Sequence, residues 1–425
     1  MNPAGSRAII QFMKRVGFAG AWATRGVVLL ALTLAAERAG AQLIPALSTL
    51  SVRVLDSVSG KPEGRGRAIR AMVIAPLYAG PRLLVAPRTM LEGTVVDAGV
   101  EKDRGSRQFL HLTFTSLVVN GGARVPISAR VVSVENSRDT VDSLGRIVGP
   151  PKPGLVRDKR DWAAVALGTL NPIAGVVFFA AIQGGEDERH RRIAFDPGTD
   201  MIVRMMTDVP LPAWPVFQMP AAVTSEAALG GLLARLPLRA LAAGGRVAGD
   251  FVNVVFIAGD EQLRGAFQSA GWVTPDRSSL KADFETFIKA AKGEGYAHQP
   301  VSKQLVFGRE SDLVYQRITD TFAKRHHLRL WRTDVSWQGV PVWVAAATHD
   351  IGIEFSTGYR SFTHRTDRSI DGERGKVVSD FVAALQVEQL SLVQRVPPPL
   401  QATRVQVDSD WRVAVMRVKG SEPDP

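Results

Sequence analysis

The stretch KRHHLRLW, residues 324–331, sets two adjacent histidines into an alternating run of apolar and charged side chains. A period of two is typical of a β-strand, in which consecutive side chains point to opposite faces of the sheet. One face carries His327, Arg329 and Trp331, and the other carries His326, Leu328 and Leu330. The leucines predict that His326 is a buried, hydrogen-bonded residue, which makes His327 the candidate for function.

The segments around this strand alternate between strand and helix patterns. Apolar or alternating runs predict strands at 252–259, 303–308, 326–333, 340–355 and 360–366, and runs with one apolar face predict helices at 260–272, 278–295 and 371–386. Together they predict a mixed α/β domain over 249–388. A strand extension at 389–418 and a disordered tail at 419–425 are predicted to follow it.

The N-terminal half has the sequence pattern of a β domain. Short alternating runs rich in Val, Leu and Thr fill 47–136 and return at 192–211, with Gly- and Pro-containing turns between them. This spacing predicts a small β-barrel or sandwich. The composition of 137–161 and 212–248 is typical of linkers. The predicted fold class is therefore multidomain, β followed by α+β.

An uncharged segment, WAAVALGTLNPIAGVVFFAAIQGG, occupies 162–185. At 1.5 Å per residue a continuous helix of this length could cross a bilayer. Asn171 and Pro172 at its midpoint favour a break, and small residues nearby would let two short helices pack closely. We expect an apolar helical hairpin inserted in the β domain, with a single membrane-spanning helix as the alternative.

The first 41 residues resemble a secretory signal. Basic residues precede the apolar run GVVLLALTLAA (26–36), and small residues follow at 39–41. We expect cleavage after Ala41 and an exported protein, in the periplasm or at the outer membrane. The alternative is an uncleaved anchor in the inner membrane.

Composition excludes several kinds of site. The chain has no cysteine, so it forms no disulfide, thiolate metal site or cysteine nucleophile. The net charge is +11, but the arginines are scattered and no basic run with interleaved aromatics is present, so we expect no nucleic-acid partner. Membrane or envelope components are the expected partners, and a homo-oligomer is possible. The sequence identifies no cofactor.

Candidate site residues lie in the segment from His298 to His364, which holds five of the seven histidines, and in the stretch just after it. Histidine and carboxylate are the donor types left for a transition metal in a chain without cysteine. Acid–base chemistry requires the same residue types. The candidate catalytic residues are His327, His349, Asp350, His364 and Glu373. The candidate metal ligands are His327, His364 and Asp371.

A second group of residues suits an anionic substrate. Arg309 and Arg374 could each hold a carboxylate or phosphate in bidentate fashion, and Trp331 shares the predicted face of His327. The stretch around Arg374 has a simpler alternative explanation. Ser369 or Asp371 can cap the helix that begins there, and Glu373 complements its dipole.

Five motifs of the C-terminal half, in order, resemble the LssY-like C-terminal domain of bacterial envelope proteins. They are DFVNVVFIAGDEQLRGAFQSAGW, PVSKQLVFGRESDLVYQR, RHHLRLWR, AAATHDIGI and DGERGKVVSDF, and they span about 249–388. The resemblance implies an envelope location and no established activity. In that family the domain often follows membrane domains related to lipid phosphatases, and the pattern of a multi-span membrane module is not found in these 425 residues.

The N-terminal half resembles, more weakly, the β-barrel domain of TrbI-like proteins from conjugation and type IV secretion systems. The motifs are APRTMLEGTVVDA, LHLTFTSLVVNGGARVPISA, DSLGRIVG and FDPGTDMIVRM, within 47–210. In that family an apolar helical insertion before the last strand pair enters the outer membrane. The resemblance implies that 162–185 contacts a membrane.

Three hypotheses for function follow. The first is an exported envelope protein with a binding or assembly role at the membrane. The second is a hydrolase or transferase that acts on an anionic, phosphate-containing envelope substrate through the histidines and carboxylates of the C-terminal domain. The third is an oligomeric secretion or pore component built through 162–185.

Overall fold

The structure is a computed structural model of the 425-residue chain. It describes 42–101, 107–119, 122–149, 192–212, 219–223, 226–242, 248–274, 304–317, 324–356, 361–396 and 407–422. The predicted signal (1–41), apolar hairpin (162–185) and helix at 278–295 lie outside these residues. Among the helices described, none is both long enough and apolar enough to cross a bilayer.

The N-terminal half consists of fourteen described strands and one short 3-10 helix at Pro62–Gly64. The strands are β1 (Gln42–Ile44), β2 (Thr49–Val54), β3 (Val58–Ser59), β4 (Ala68–Val73), β5 (Leu77–Ala79), β6 (Arg82–Val85), β7 (Met90–Glu101), β8 (Arg107–Val118), β9 (Arg124–Val134), β10 (Thr140–Val141), β11 (Arg146–Val148), β12 (Ala194–Phe195), β13 (Asp200–Met205) and β14 (Val209–Leu211).

Six of these strands close into a barrel. The order is β8-β7-β4-β2-β13-β9, and an additional pairing of β8 with β9 completes the ring. Alternate residues point inward, as the pattern eBiBiB of buried and exposed positions along β2 illustrates. Leu112, Phe114, Val131 and Val203 are among the fully buried side chains of the interior. The predicted barrel is therefore confirmed.

The first predicted linker is partly folded into this domain. β10 and β11 pair with each other, and β11 continues the barrel sheet along β8. The barrel sheet therefore extends over 140–148, a part of the chain for which the composition predicted a linker. An Asp142 carboxylate that accepts from the backbone of Leu144 and Arg146 builds the tight turn, a role that polar turn residues fill well.

The C-terminal half combines eleven described strands with three α-helices. They are α1 (Glu226–Ala234), β15 (Arg239–Ala242), β16 (Ala248–Phe251), β17 (Val254–Ile257), α2 (Asp260–Ser269), β18 (Gln304–Val306), β19 (Arg309–Glu310), β20 (Leu313–Arg317), β21 (Lys324–Trp337), β22 (Val340–Ser356), β23 (Ser361–Thr366), α3 (Ile370–Ala383), β24 (Val387–Gln394) and β25 (Arg412–Val418). The predicted strands occur at these positions, as do the helices predicted at 260–272 and 371–386. The prediction of a linker over 212–248 was wrong in part, because α1 and β15 lie within it.

A seven-stranded sheet organises this half, in the order β20-β21-β22-β17-β25-β24 with β23 paired to β22. One face packs against α2 and α3 and buries Phe256, Phe267 and Phe381. The other face forms a separate core with α1. β25 lies inside the sheet, parallel to β17, so it is an integral strand and not the extension that its late position suggested.

Gly93 on β7 provides a test of the barrel packing. The register between β7 and β8 shifts at Glu92/Gly93, and a Cβ on Gly93 would collide with the backbone oxygen of Thr113 on β8. Gly93→Ala should lower the free energy of unfolding by roughly 1–3 kcal/mol because backbone must move. Gly64→Ala is the control, since its Cβ would meet only Ser59 O, at 3.5 Å. Equal urea midpoints for the two variants would contradict the packing described.

Candidate functional site

The two histidines of β21 point to opposite faces of the C-terminal sheet. His326 shares its face with Leu328 and Leu330, beneath α2 and α3. His327 shares the other face with Trp331. The alternation predicted from the sequence is thus present, but both histidines are buried, with 5% and 8% of their surface exposed. The two histidines are therefore about equally buried, and they differ in the residues that they contact.

His326, His349 and Glu373 form a compact group, called here the histidine cluster. The pairing of β21 with β22 sets His326 opposite His349, and the two rings stack with centroids 4.3 Å apart. Glu373 comes from the first turn of α3, and its Oε2 lies 2.7 Å from His326 Nδ1. One donor atom from each residue lies within 4.8 Å of the others, so the cluster could hold a metal ion.

Two barrel residues complete the surroundings of the cluster. Asn136 Oδ1 lies 2.8 Å from His349 Nε2, while its Nδ2 donates to the carbonyl of Arg317 at 3.4 Å. That second bond fixes the amide orientation, so His349 Nε2 is the donor and Nδ1 keeps a lone pair. Asn136 has a φ of 55°, which asparagine tolerates well. Glu135 Oε2 lies 3.5 Å from His326 Nε2.

The stacked histidines differ in charge. Burial lowers the pKa of His326, but the carboxylates of Glu373 and Glu135 outweigh burial and raise that pKa to about 9. Burial lowers the pKa of His349, and the neighbouring His326 charge lowers it further. At neutral pH the cluster therefore contains one imidazolium and one neutral imidazole.

The opposite face of the sheet holds a separate polar group. His327 Nε2 lies 2.7 Å from Thr348 Oγ1, and His327 Nδ1 lies 3.4 Å from Asp350 Oδ2. The same Asp350 oxygen accepts from Arg325 Nε at 3.0 Å. Asp350 is 1% exposed, so Arg325 supplies the counter-charge that a buried carboxylate requires.

The four predicted catalytic residues whose side chains the structure describes therefore do not form one site. His327 and Asp350 lie on one face of the sheet, while His349 and Glu373 lie on the other. His364 belongs to β23, and its side chain is outside the described part of the structure. The prediction also favoured His327 over His326, and it is His326 that joins His349 and Glu373. The reason is that Glu373 on α3 lies on the same face of the sheet as His326, so its carboxylate contacts His326 and not His327.

The predicted anion-binding residues are occupied by other contacts. Arg309 pairs with Asp312 and donates to the carbonyl of Arg332, and Trp331 is buried with its Nε1 bonded to Arg309 O. Arg374 pairs with Asp371 at 2.9 Å and Asp410 at 2.8 Å.

Asp371 also forms its hydrogen bonds with residues other than His327. Its carboxylate accepts from Ser409 Oγ at 2.9 Å and from the backbone of Asp410 at 2.6 Å. These bonds hold the chain that leads into β25. Ser369 caps α3 by accepting from Gly372 N at 3.2 Å, as the capping alternative predicted. His327 and Asp371 thus have separate partners, and the metal set of His327, His364 and Asp371 stays a prediction because the His364 side chain lies outside the described residues.

A buried network of charges joins the barrel to the C-terminal domain, and we call it the ionic interface. Arg53 on β2 donates to Asp200 on β13 at 2.7 Å and to Asp380 on α3 at 2.9 Å. Lys376 bridges the same two carboxylates, at 3.0 and 2.7 Å. Arg317 reaches Asp200 at 3.2 Å. Its members are Arg53, Glu135 and Asp200 of the barrel and Arg317, His326, Glu373, Lys376 and Asp380 of the C-terminal domain.

The charges within this interface compensate one another. Asp380 is fully buried and also accepts from Trp272 Nε1 at 3.0 Å. Burial raises the pKa of Asp380, but Lys376, Arg317 and Arg53 outweigh burial and hold that pKa below its ordinary value. The pKa of Asp200 is lowered by the same three cations against the effect of burial. With His326 protonated, the four cations face four carboxylates: Asp200, Asp380, Glu135 and Glu373.

Sequence patterns did not identify the ionic interface, although one signal was present. Glu373, Lys376 and Asp380 recur at helical spacing along α3, beside the buried Val377 and Phe381. Charges on an apolar helix face indicate buried partners. The partners themselves could not be found, because Arg53 and Asp200 lie 147 residues apart in sequence and meet only when the barrel closes.

Comparison with known proteins agrees with the motifs of the C-terminal half. Residues 236–410 match the family described as LssY C-terminus. The C-terminal domain is therefore an LssY-like C-terminal domain. The match begins ahead of β15 and ends just before β25, so it includes α2, α3 and the histidine cluster, while α1 lies before it.

The other comparisons add little. Among solved structures, the chain is similar to ComB10 of the Com type IV secretion system of Helicobacter pylori, with 10% identity, a TM-score of 0.23, and coverage of 41% of this chain and 93% of that one. This similarity is too weak to establish a shared fold, and the resemblance of the N-terminal half to TrbI-like proteins stays a prediction. No curated protein matches the chain.

Removal of the Asp380 charge should weaken the ionic interface. Asp380→Asn leaves Lys376 and Arg53 with an excess of buried positive charge, and we expect the free energy of unfolding to fall by roughly 3–5 kcal/mol. Asp56→Asn, which breaks an exposed pair with Arg70, should have a small effect. Urea unfolding followed by tryptophan fluorescence measures both. A small effect at Asp380 would show that the charges contribute little.

The same carboxylates predict sensitivity to acid. A carboxyl group with a folded-state pKa below its unfolded value stabilises the fold above the unfolded pKa and loses that contribution as pH falls through the folded one. Asp200 and Asp380 should therefore contribute fully above about pH 4 and progressively less below it. Urea midpoints between pH 3 and 7 should decline at the acid end. Asp380→Asn should flatten that decline, and an unchanged slope in the variant would contradict the assignment.

Proposed function

We propose that this protein is an exported component of the bacterial cell envelope with a binding or assembly role at the membrane. In this proposal the barrel and the LssY-like domain act together as one rigid scaffold. The ionic interface is the observation that carries it, because a buried, charge-compensated contact fixes the two domains relative to each other.

The interface is unsuited to repeated opening. Separation of the domains would leave Asp380 and Lys376, both inside α3, without the charges of Arg53 and Asp200. Further bonds would also break, including those from Lys324 Nζ to Ser137 O and from Arg88 to Ala383 O, each 3.0 Å long. A fixed geometry is useful when a partner must bind surfaces of both domains at once. A hinge between the domains would let those surfaces move apart.

The enzyme alternative has less support. Acid–base catalysis requires groups that converge on one reacting atom. The predicted catalytic residues with described side chains divide between two faces of the sheet, and Asp350, Arg309 and Arg374 are bound to other residues of the protein.

Membrane contact in this proposal comes through 162–185. In the sequence that segment lies between β11, which pairs with β8, and β12, which pairs with β3. The described strands on both sides of it therefore belong to the N-terminal half. An uncharged insertion anchored at both ends could enter a bilayer without unfolding the domain that carries it.

Cell fractionation tests the location and the route to the membrane. Full-length chain expressed in a Gram-negative host should sediment with envelope membranes, and replacement of 162–185 by a Gly/Ser linker should release it into the periplasm in folded form. Replacement of residues 102–106, which connect β7 to β8 in the sequence, by a Gly/Ser linker is the control and should leave the chain at the membrane. Recovery of wild type in the cytoplasm, or membrane retention after 162–185 is replaced, would contradict the proposal.

A further inference from the structure

We propose that His326, His349 and Glu373 bind one divalent transition-metal ion, with zinc as the ion that best suits the donors, at the junction of the barrel and the LssY-like domain. The inference rests on the histidine cluster and is independent of the proposed envelope function.

The donor chemistry fits zinc. Two imidazoles and one carboxylate are a donor set that proteins use for this ion, with Zn–N and Zn–O distances of about 2.0–2.2 Å. Donors around a tetrahedral zinc lie about 3.3 Å apart, and the three donors here already lie within 4.8 Å of one another. His349 has 26% of its side chain exposed, so its ring has room to tilt toward the ion and gives the ion a route from solvent.

A second observation points to a cation at the same place. Glu373 is 3% exposed, and its Oε1 is buried without a hydrogen-bond partner among the described residues. Buried carboxylate oxygens normally have partners, because an unsatisfied one is costly. Its Oε2 already contacts His326 Nδ1. A metal ion coordinated by the carboxylate would replace the proton of that hydrogen bond and satisfy the carboxylate.

The residues around the histidine cluster resemble those around metal sites in known metalloproteins. In such sites the ring nitrogen remote from the metal is hydrogen-bonded, which orients the ring. Asn136 accepts from His349 Nε2 at 2.8 Å, which leaves His349 Nδ1 to bind the ion, and Glu135 lies 3.5 Å from His326 Nε2. Asn136, which orients His349, and the neighbouring Glu135 both come from the barrel, while the three ligands come from the LssY-like domain. A bound ion would therefore strengthen the contact between the two domains.

The adjacent histidine supplies a matched control. His327 is on the same strand and about as buried as His326, but it faces the opposite side of the sheet. A specific site predicts that His326→Gln and Glu373→Gln lose the metal while His327→Gln retains it. His349→Ala gives a further variant at a partly exposed position, where folding is least at risk.

The experiment uses tag-free full-length protein titrated with Zn²⁺ by calorimetry and with Co²⁺ by visible absorption. Wild type and His327→Gln should bind one ion per chain and show the d–d bands of tetrahedral Co²⁺. His326→Gln, His349→Ala and Glu373→Gln should bind at least about 100-fold more weakly, and Asn136→Gly, which keeps the backbone conformation, about 10-fold more weakly. Circular dichroism checks that each variant is folded.

Two results would overturn the proposal. One is wild-type protein that binds less than one ion per chain at micromolar metal. The other is a loss of binding in His327→Gln equal to that in folded His349→Ala. Membrane fractionation of the same variants keeps this outcome separate from the proposed function, since a failed metal site leaves the location of the chain unchanged.

Discussion

The carboxylates of Asp200 and Asp380 lie in the interior between two domains, where an unpaired charge would be untenable. Arg53 and Lys376 each donate to both carboxylates, and Arg317 donates to Asp200, so the two negative charges are compensated. Neither domain can supply this arrangement alone, because one carboxylate comes from the barrel and the other from α3. The relative position of the barrel and the sheet follows from this constraint.

The histidine cluster is the continuation of the same network. Glu373, Lys376 and Asp380 are on one helix, so the carboxylate that meets His326 and the charges that meet the barrel are set by a single element. Glu135 links the two regions from the barrel side, since its pKa is lowered by His326 and Lys376 despite the opposing effect of burial. Metal binding at the cluster and docking of the domains are therefore expected to affect each other.

The fold was largely predictable from sequence, and the site was not. Periodicity located the strands of the barrel and the alternation along β21, because these depend on local side-chain pattern. The position of β25 inside the sheet depends on a parallel crossover that no local pattern encodes. The choice of His326 over His327 depended on where α3 places Glu373. Asn136 and Glu135 reach the cluster only through contact between domains, which sequence spacing does not reveal.

The fixed arrangement of the two domains can be measured directly, because the chain has no cysteine and accepts site-specific spin labels without background. Leu144 on the barrel and Val396 on the C-terminal domain are both exposed, and cysteines there can be labelled in pairs. Pulsed electron–electron distance measurement at neutral pH should give one narrow distribution, which broadens when Asp380→Asn is added. A broad distribution in the otherwise wild-type chain, or no change on adding Asp380→Asn, would contradict a fixed interface held by these charges.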